Sequence, residues 1–523
     1  MCSGDPNADS VALYDSTHSD PLQREHLTNG QTPVAVYGLG KMGLPLAAVY
    51  AETTGNVTGV DVDPTVVETV NAGRSHVVGE PGLEELVTEQ VESGRLEATT
   101  DGPTAAERAR IHVIIVPTLL TDDRKPDLAT VEAVADDIAA GLAPGDLVIA
   151  ESTLPPGTCR DVLRPHLAAE SGLELDEFGV AFCPERTSSG TAVRDIRGQY
   201  PKVVGGVDGE STRAATVVYD ELSTNDVRQV SDATTAEAVK VFEGVYRDVN
   251  IALANELGTL ADELGISVRE AFATANDLPM CQLHDPGPGV GGHCIPYYPY
   301  FLLSWLETPL ALTETARDVN DGMAGAVVDR LAAELEADGT ALAEASVLVL
   351  GLTYRAGVEE TRASPALDVV AELEERGADV AAVDPLVDPD AYGVGRVELE
   401  LLTGDRAGET PAFDAAVLVT AHEEFDHISW GDLEPSVVVD TRDELDLAGT
   451  DHRSYTLAGS RNGRPPAGDR ESVAGTAVDA LAREDAPVTA GATSAESRLE
   501  ESATDLRRTD GTDPRRTDGG DDV

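Results

Sequence analysis

Lysine is nearly absent from this chain: among 523 residues only Lys41, Lys125, Lys202 and Lys240 occur, against 95 Asp and Glu. The formal charge of −58 and a pI near 4.2 exclude nucleic acid and anionic membrane as partners, because such a surface repels phosphates. Acids spread along most of the chain instead suit molar salt, where counterions screen self-repulsion. Aromatics are also scarce at 4%, although a hydrophobic fraction of 41% still supports ordinary cores. Long apolar runs are missing: Ala415–Val419 and Val347–Leu350 are far too short to span a bilayer. The N-terminus has neither the basic region nor the apolar stretch of a secretory signal, so a cytoplasmic location is expected. Five cysteines (Cys2, Cys159, Cys183, Cys281 and Cys294) form no CxxC pair and no metal-ligand spacing. They read as free thiols, without a disulfide framework or a metal.

What is present is an alternation of short apolar runs and helical stretches. Val34–Tyr37, Val57–Val60, Ile111–Val116, Leu147–Ala150, Val180–Phe182 and Val203–Val204 read as buried strands, predicting an α/β fold with a largely parallel, doubly wound sheet. From Asp232 to Leu264 the pattern becomes one long amphipathic helix, with further helix to Asn276. Helix resumes through Leu302–Leu306 and Glu314–Leu335, and a second α/β unit begins at Val347–Leu350. Its helix is expected at Ala366–Arg376, and its further strands at Val380–Val383, Ala415–Thr420 and Val437–Asp440. Residues 1–31 are polar, and after about Gly463 the chain turns to Arg, Asp, Thr, Ala and Gly. Both tails are expected to be disordered.

Two stretches carry chemistry. Strand Val34–Tyr37 runs into Gly38-Leu39-Gly40-Lys41-Met42-Gly43, which opens a helix. That pattern allows a tight turn at Gly38, close approach of a pyrophosphate at Gly40 and close helix packing at Gly43. The helix N-terminus then faces the phosphates. Asp61 ends the next strand, where a carboxylate accepts from a ribose 2′-hydroxyl; with no arginine beside it, NAD is favoured over NADP. The second stretch is Gly287-Pro288-Gly289-Val290-Gly291-Gly292-His293-Cys294-Ile295-Pro296, four glycines beside a cysteine. Its backbone can press against a substrate. Lys240, on the long helix, can hold a thiolate or a developing oxyanion.

The chain resembles the UDP-glucose/GDP-mannose dehydrogenase family from about Pro33 to Gly459. The stretches that carry the likeness are GLGKMGLPLA, VDVDPTVVETVNAG, VPTLLTDDRKPDL, ESTLPPGT, FCPERTSSG, AEAVKVFEGVYRDVNIALANEL, GPGVGGHCIP, ARDVND and GLTYRAGVEETRASPAL. The resemblance implies two Rossmann-like domains joined by a long central helix that forms a homodimer. An NAD domain would span 32–214, a central domain with the cysteine loop 215–325, and a UDP-sugar domain 326–460. It further implies four-electron oxidation of the C6 alcohol of a UDP-sugar to a carboxylate, with two NAD consumed. Cys294 would be the nucleophile, passing through a thiohemiacetal and a thioester. Lys240 would stabilise the oxyanions, and Glu151 with Thr118 would position the hydrolytic water and move protons. Gly38, Gly40, Lys41, Met42, Gly43, Asp61, Thr118 and Thr153 would hold the cofactor. Glu185, Arg186, Lys240, Arg247, Asn250, Gly289, Gly291, Gly292, His293, Tyr354, Arg355 and Arg362 would meet the UDP-sugar.

Three positions depart from the family pattern. Gly244 stands where asparagine is usual, Tyr298 where aspartate is usual, and Arg355 where lysine is usual. The first two commonly supply hydrogen bonds around the thiol and oxyanion; the Tyr298 hydroxyl is one candidate substitute. GGHCIP, with His293 before the nucleophile, resembles the branch acting on UDP-N-acetylhexosamines. UDP-N-acetyl-D-mannosamine is then the foremost substrate and UDP-glucose the alternative, with the product feeding surface glycan or glycosylation. Two other readings remain open: a two-electron 3-hydroxyacid dehydrogenase, and a catalytically silent nucleotide-sugar binder.

The charge pattern sets a first expectation. Transfer from molar to low salt should lower the unfolding temperature and the activity; full activity after desalting would count against a salt-adapted surface.

Overall fold

Val34–Tyr37 is buried along its whole length and takes a parallel partner on each edge, Val57–Val60 and Ile111–Ile114. Strands covered on both faces read as continuous apolar runs, which is why these were legible in the sequence. In the computed structural model, which describes residues 11–404 and 412–459, they belong to an eight-stranded sheet. Its order is Val227–Gln229, Lys202–Gly206, Gly179–Phe182, Leu147–Ala150, Ile111–Ile114, Val34–Tyr37, Val57–Val60, Leu96–Thr99. All pairings are parallel except Gly179–Phe182 against Lys202–Gly206. A six-stranded parallel sheet follows, with Ser346–Leu350 between Asp379–Val383 and Ala415–Leu418.

In both sheets the first strand lies between neighbours reached in opposite directions. That is the switch point beyond whose carboxyl end an open α/β sheet binds its ligand. Gly38–Gly43 leaves the first such point and Gly351–Tyr354 the second. No helix among the described residues is long and apolar enough to cross a membrane.

Some expectations are corrected. The N-terminal stretch is not a disordered tail from Val11 onward. Leu13 and Leu27 are fully buried, helix Asp20–Thr28 forms, and Arg213 donates to the Leu13 carbonyl at 2.7 Å. Its few apolar residues were too widely spaced to announce a core contact. The long helix runs Ala233–Gly258, short of Leu264, with separate turns at Ala261–Leu264 and Val268–Ala275. The helix expected over 314–335 breaks at Gly322, between Ala311–Asp321 and Met323–Asp338. Strands Leu96–Thr99, Val227–Gln229 and Arg453–Thr456 were not anticipated, because they are half-exposed edges with little apolar signal. Residues 1–10 and the tail from Arg461 lie outside the described residues.

The central helix Ala233–Gly258 starts on Asp232, whose carboxylate caps Thr235 N at 2.7 Å. Its far half carries a buried polar network. Arg317 reaches Asp248 at 2.5 Å; Asn320 donates to the Asp248 carboxylate at 2.9 Å and backbone carbonyl at 3.0 Å. Asn255 donates to Asn320 at 2.9 Å and accepts from Gly287 N at 2.8 Å. One chain of bonds thus fixes the start of the glycine-rich loop to this helix. Asp248 is fully buried, and burial, only partly offset by Arg317, raises its pKa.

Replacing Arg317 by leucine strands that carboxylate. Denaturant unfolding should show a loss of about 3–5 kcal/mol, and Arg317→Leu/Asp248→Leu together should recover much of it. An unchanged midpoint for the single variant would count against the network.

Candidate active site

The glycine turn folds as its residue types require. A Cβ at Gly43 would lie 1.9 Å from the Gly38 carbonyl oxygen, so only glycine lets the helix start this close to the strand. Nothing lies within 4 Å of the Cβ position of Gly40, which leaves the approach to its backbone clear. Asp61 is partly exposed at the end of Val57–Val60 and accepts from Leu39 N at 2.8 Å and Asp63 N at 3.0 Å. A carboxylate has about four acceptor sites, so capacity remains for the donors of a ribose diol. The buried Thr118 hydroxyl has no protein partner. Met42 accepts from Thr187 through its sulfur at 3.0 Å. These groups fit a dinucleotide.

The thiol lies on a small apolar cluster of Val241, Tyr298, Phe301 and Leu302, which joins the central helix to the residues following the loop. Tyr297 N and Tyr298 N both bond the Cys294 carbonyl, at 3.1 and 3.0 Å, forming a tight turn. On its other side the loop is clamped by the second unit: Gly292 N donates to the Arg362 carbonyl at 3.0 Å. Gly292 has φ of +86°, and a Cβ at Gly291 would come within 2.6 Å of the Tyr354 Cβ. Gly289 packs on Pro365. The glycines therefore serve close packing on residues 354–365, a role beyond the substrate contact expected of them.

Burial opposes ionisation of Cys294, yet the thiol is held below its ordinary range. The His293 bond and charge, the Tyr298 hydroxyl and the Lys240 charge together outweigh burial. Reciprocally, the bond to Cys294 and that to Glu360 push His293 up to about 10. Cys159 and Cys183 are the contrast: fully buried, both pushed up by desolvation.

Lys240 donates to the Glu185 carbonyl, and its ammonium lies 3.9 Å from the Glu185 carboxylate. It also sits 6.0 Å from the centre of the Tyr298 ring, whose hydroxyl is 3.1 Å from Thr153 Oγ1. So Cys294, Lys240, Glu185, Thr153, His293 and Tyr298 form one constellation. Glu151 is turned elsewhere: it is 2% exposed, with one oxygen 2.6 Å from Lys202 and the other bound by Tyr219. It lines a small cavity with Glu185, Arg186 and Lys202. Arg186 pairs with Glu243 at 2.9 Å. Arg247 is exposed on the central helix, and Asn250 bonds back to the Tyr246 carbonyl at 2.7 Å. Tyr354 is half-buried, its phenol raised by burial first; Arg355 and Arg362 are exposed nearby.

One carboxylate was missed in the sequence. Glu360 is 3.4 Å from His293 Nδ1, 3.7 Å from Arg362 Nε and 3.8 Å from Lys41 Nζ. The bonds and charges of these cations, His293 first, lower its pKa. The acid pair before Thr361 and Arg362 was its only signal. Three of the four lysines lie in this region: Lys41 at Glu360, Lys202 at Glu151 and Lys240 at Glu185.

Comparison with known proteins agrees with this layout. Models of the UDP-glucose/GDP-mannose dehydrogenase family match residues 32–223 (NAD binding domain), 234–322 (central domain) and 348–447 (UDP binding domain). The chain is 37% identical over 418 residues to an NDP-N-acetyl-D-galactosaminuronic acid dehydrogenase of Ralstonia nicotianae, covering 78% of this chain and 95% of that one. It is 36% identical over 421 residues to a UDP-N-acetyl-D-mannosamine dehydrogenase of Yersinia pestis, covering 78% and 98%. Among solved structures, the UDP-N-acetyl-D-mannosamine dehydrogenase of Pyrococcus horikoshii superposes with a TM-score of 0.75 at 32% identity, over 82% of this chain and all of that one. The cofactor is NAD, and the chain belongs to the UDP-glucose/GDP-mannose dehydrogenase family of NAD-dependent nucleotide-sugar dehydrogenases.

Proposed function

We propose that this chain oxidises the C6 alcohol of a UDP-N-acetylhexosamine, foremost UDP-N-acetyl-D-mannosamine, to the carboxylate through a covalent intermediate on Cys294. The observation that carries this reading is the placement of Cys294 in a loop clamped between the central helix and the second unit, its thiol held below the ordinary range against burial by His293, Tyr298 and the Lys240 charge. NAD, when bound, supplies the hydride acceptor for both oxidations. The Cys294 thiolate adds to the C6 aldehyde, forming a C–S bond, and the carbonyl electron pair moves to oxygen, opposite the Lys240 ammonium. After the second oxidation the C–S bond belongs to a thioester, which water cleaves, returning the thiolate. Glu185, held against Lys240, is the carboxylate that takes the water's proton, and the unpartnered Thr118 hydroxyl is free to hold that water. Glu151 acts one step back, neutralised by Lys202. The N-acetyl preference is supported by GGHCIP and by the sugars named in the relatives; UDP-glucose is the competing substrate. The product would enter surface polysaccharide or glycosylation.

A homodimer is part of the same reading. Phe242, Tyr246 and Leu253 are exposed on one stripe of the central helix, at 58%, 53% and 44%. Tyr246→Glu with Phe242→Glu should halve the mass seen by light scattering; an unaltered mass would remove this face as the interface.

In molar salt with excess NAD, two NADH should appear per UDP-N-acetylhexosamine. Cys294→Ala should abolish that yield while leaving UDP-sugar affinity within a few-fold. One NADH per sugar, or full yield from the variant, would overturn the thioester route. UDP-glucose turned over fastest would overturn the choice of sugar.

A further inference from the structure

The segment from Tyr354 to Pro365 is a folded turn fixed by its own bonds. Tyr354 N donates to the Glu360 carbonyl at 2.9 Å, Ser364 N to that of Thr361 at 3.0 Å, and the Thr361 hydroxyl to the Tyr392 oxygen at 3.0 Å. Ala363 has φ of +47°, a left-handed conformation that is costly for a residue with a Cβ and persists only where its surroundings hold it. The thiol loop packs directly on it. Gly292 N donates to the Arg362 carbonyl, and a Cβ at Gly291 would lie 3.0 Å from the Ala363 carbonyl oxygen.

From this turn the Glu360 side chain, 18% exposed, meets cations of three segments. His293 Nδ1 of the thiol loop is 3.4 Å away, Arg362 Nε of its own turn 3.7 Å, and Lys41 Nζ of the cofactor turn 3.8 Å. Tyr354 also feels its charge, and the titratable groups facing His293 are Glu360 and the adjacent Cys294. One carboxylate thus serves both the turn that receives a pyrophosphate and the loop that carries the thiol. In molar salt the screening length is about 3 Å, so charges interact there only where they nearly touch. Lys41 is half-exposed beside Gly40, whose backbone approach is clear, so a bound pyrophosphate is a second anion for the same ammonium. As Lys41 turns to that anion, Glu360 is left to His293 and Arg362, and the imidazolium is held more firmly.

We propose that Glu360 is a positioning residue that passes the state of the cofactor turn to the thiol loop, as the shared counter-ion of Lys41 and His293. The proposal rests on the reading of the loop at His293 and Cys294 as the catalytic loop. Its sign follows from linkage. A dinucleotide that strengthens the His293 pair raises the midpoint of that ring, so binding takes up protons. Affinity is then greatest with the ring charged and falls as pH rises through the midpoint. Half a unit of upward shift corresponds to about a threefold loss of affinity across the titration.

The test uses ADP-ribose, which carries the pyrophosphate without the nicotinamide, on the full chain in molar salt. The His293 ring is titrated by carbon-13 NMR, its signal assigned by its loss in His293→Gln, and ADP-ribose affinity is measured by calorimetry across the same pH range. In the wild type ADP-ribose should raise the ring midpoint by about half a unit, with the matching threefold fall in affinity. Glu360→Gln keeps the size of the side chain; it should lower the midpoint by about 1–3 units and leave it unresponsive to ADP-ribose. Lys41→Gln should raise the midpoint in the free protein and also abolish the response, which decides the matter should Glu360→Gln not fold. A midpoint unmoved in Glu360→Gln, or one that ADP-ribose shifts equally in that variant and the wild type, overturns the proposal. A wild-type protein that yields no NADH from any UDP-sugar would instead overturn the functional reading, and the ring titration would still decide whether Glu360 joins the two segments.

Discussion

The position of the thiol depends on a polar network hidden in an apolar interior. Asp248, Arg317, Asn320 and Asn255 connect the central helix to the helix Ala311–Asp321 and end on the backbone of Gly287. Hydrophobic contacts alone would let the two helices slide, because they carry no direction. A chain of directional hydrogen bonds does not. The glycine-rich loop is suspended from that fixed point at one end and from the Tyr298 cluster at the other. Between them it has little freedom, and the sulfur inherits that restraint.

The two sheets solve the same problem at their switch points with different outcomes. Asp61 takes two backbone N–H bonds and stays partly exposed, with capacity to spare for a ligand. Asp384 ends the corresponding strand of the second sheet. It accepts from Leu352, Thr353, Leu386 and Val387 and lies 3.2 Å from His422 Nε2. Burial works against its ionisation, but His422 and the backbone donors hold it at about 2. Its lone pairs are used up within the protein. The same place in the fold keeps hydrogen-bonding capacity in reserve in one unit and pins a loop in the other.

Much of this was legible in the sequence, and what was not had physical causes. Buried strands announced themselves because both faces need apolar side chains, as in Val34–Tyr37 and Ser346–Leu350. Edge strands such as Leu96–Thr99 carry no such demand. The glycine turn and Asp61 were readable because their spacing is short-range. The alliance of Lys240 with Glu185, and the diversion of Glu151 to Lys202, were not: each depends on residues more than 50 positions apart meeting across a strand end. Glu360 was quoted within a motif and passed over, since nothing local says that it will face both Lys41 and His293.

The fit of the Tyr298 ring into the notch at Gly244 couples the two positions. With the ring where it lies, a side chain at 244 forces it aside, whereas a bare helix leaves room for either a ring or a smaller residue at 298. The two positions therefore behave as one unit, bound together by the sterics of a single contact.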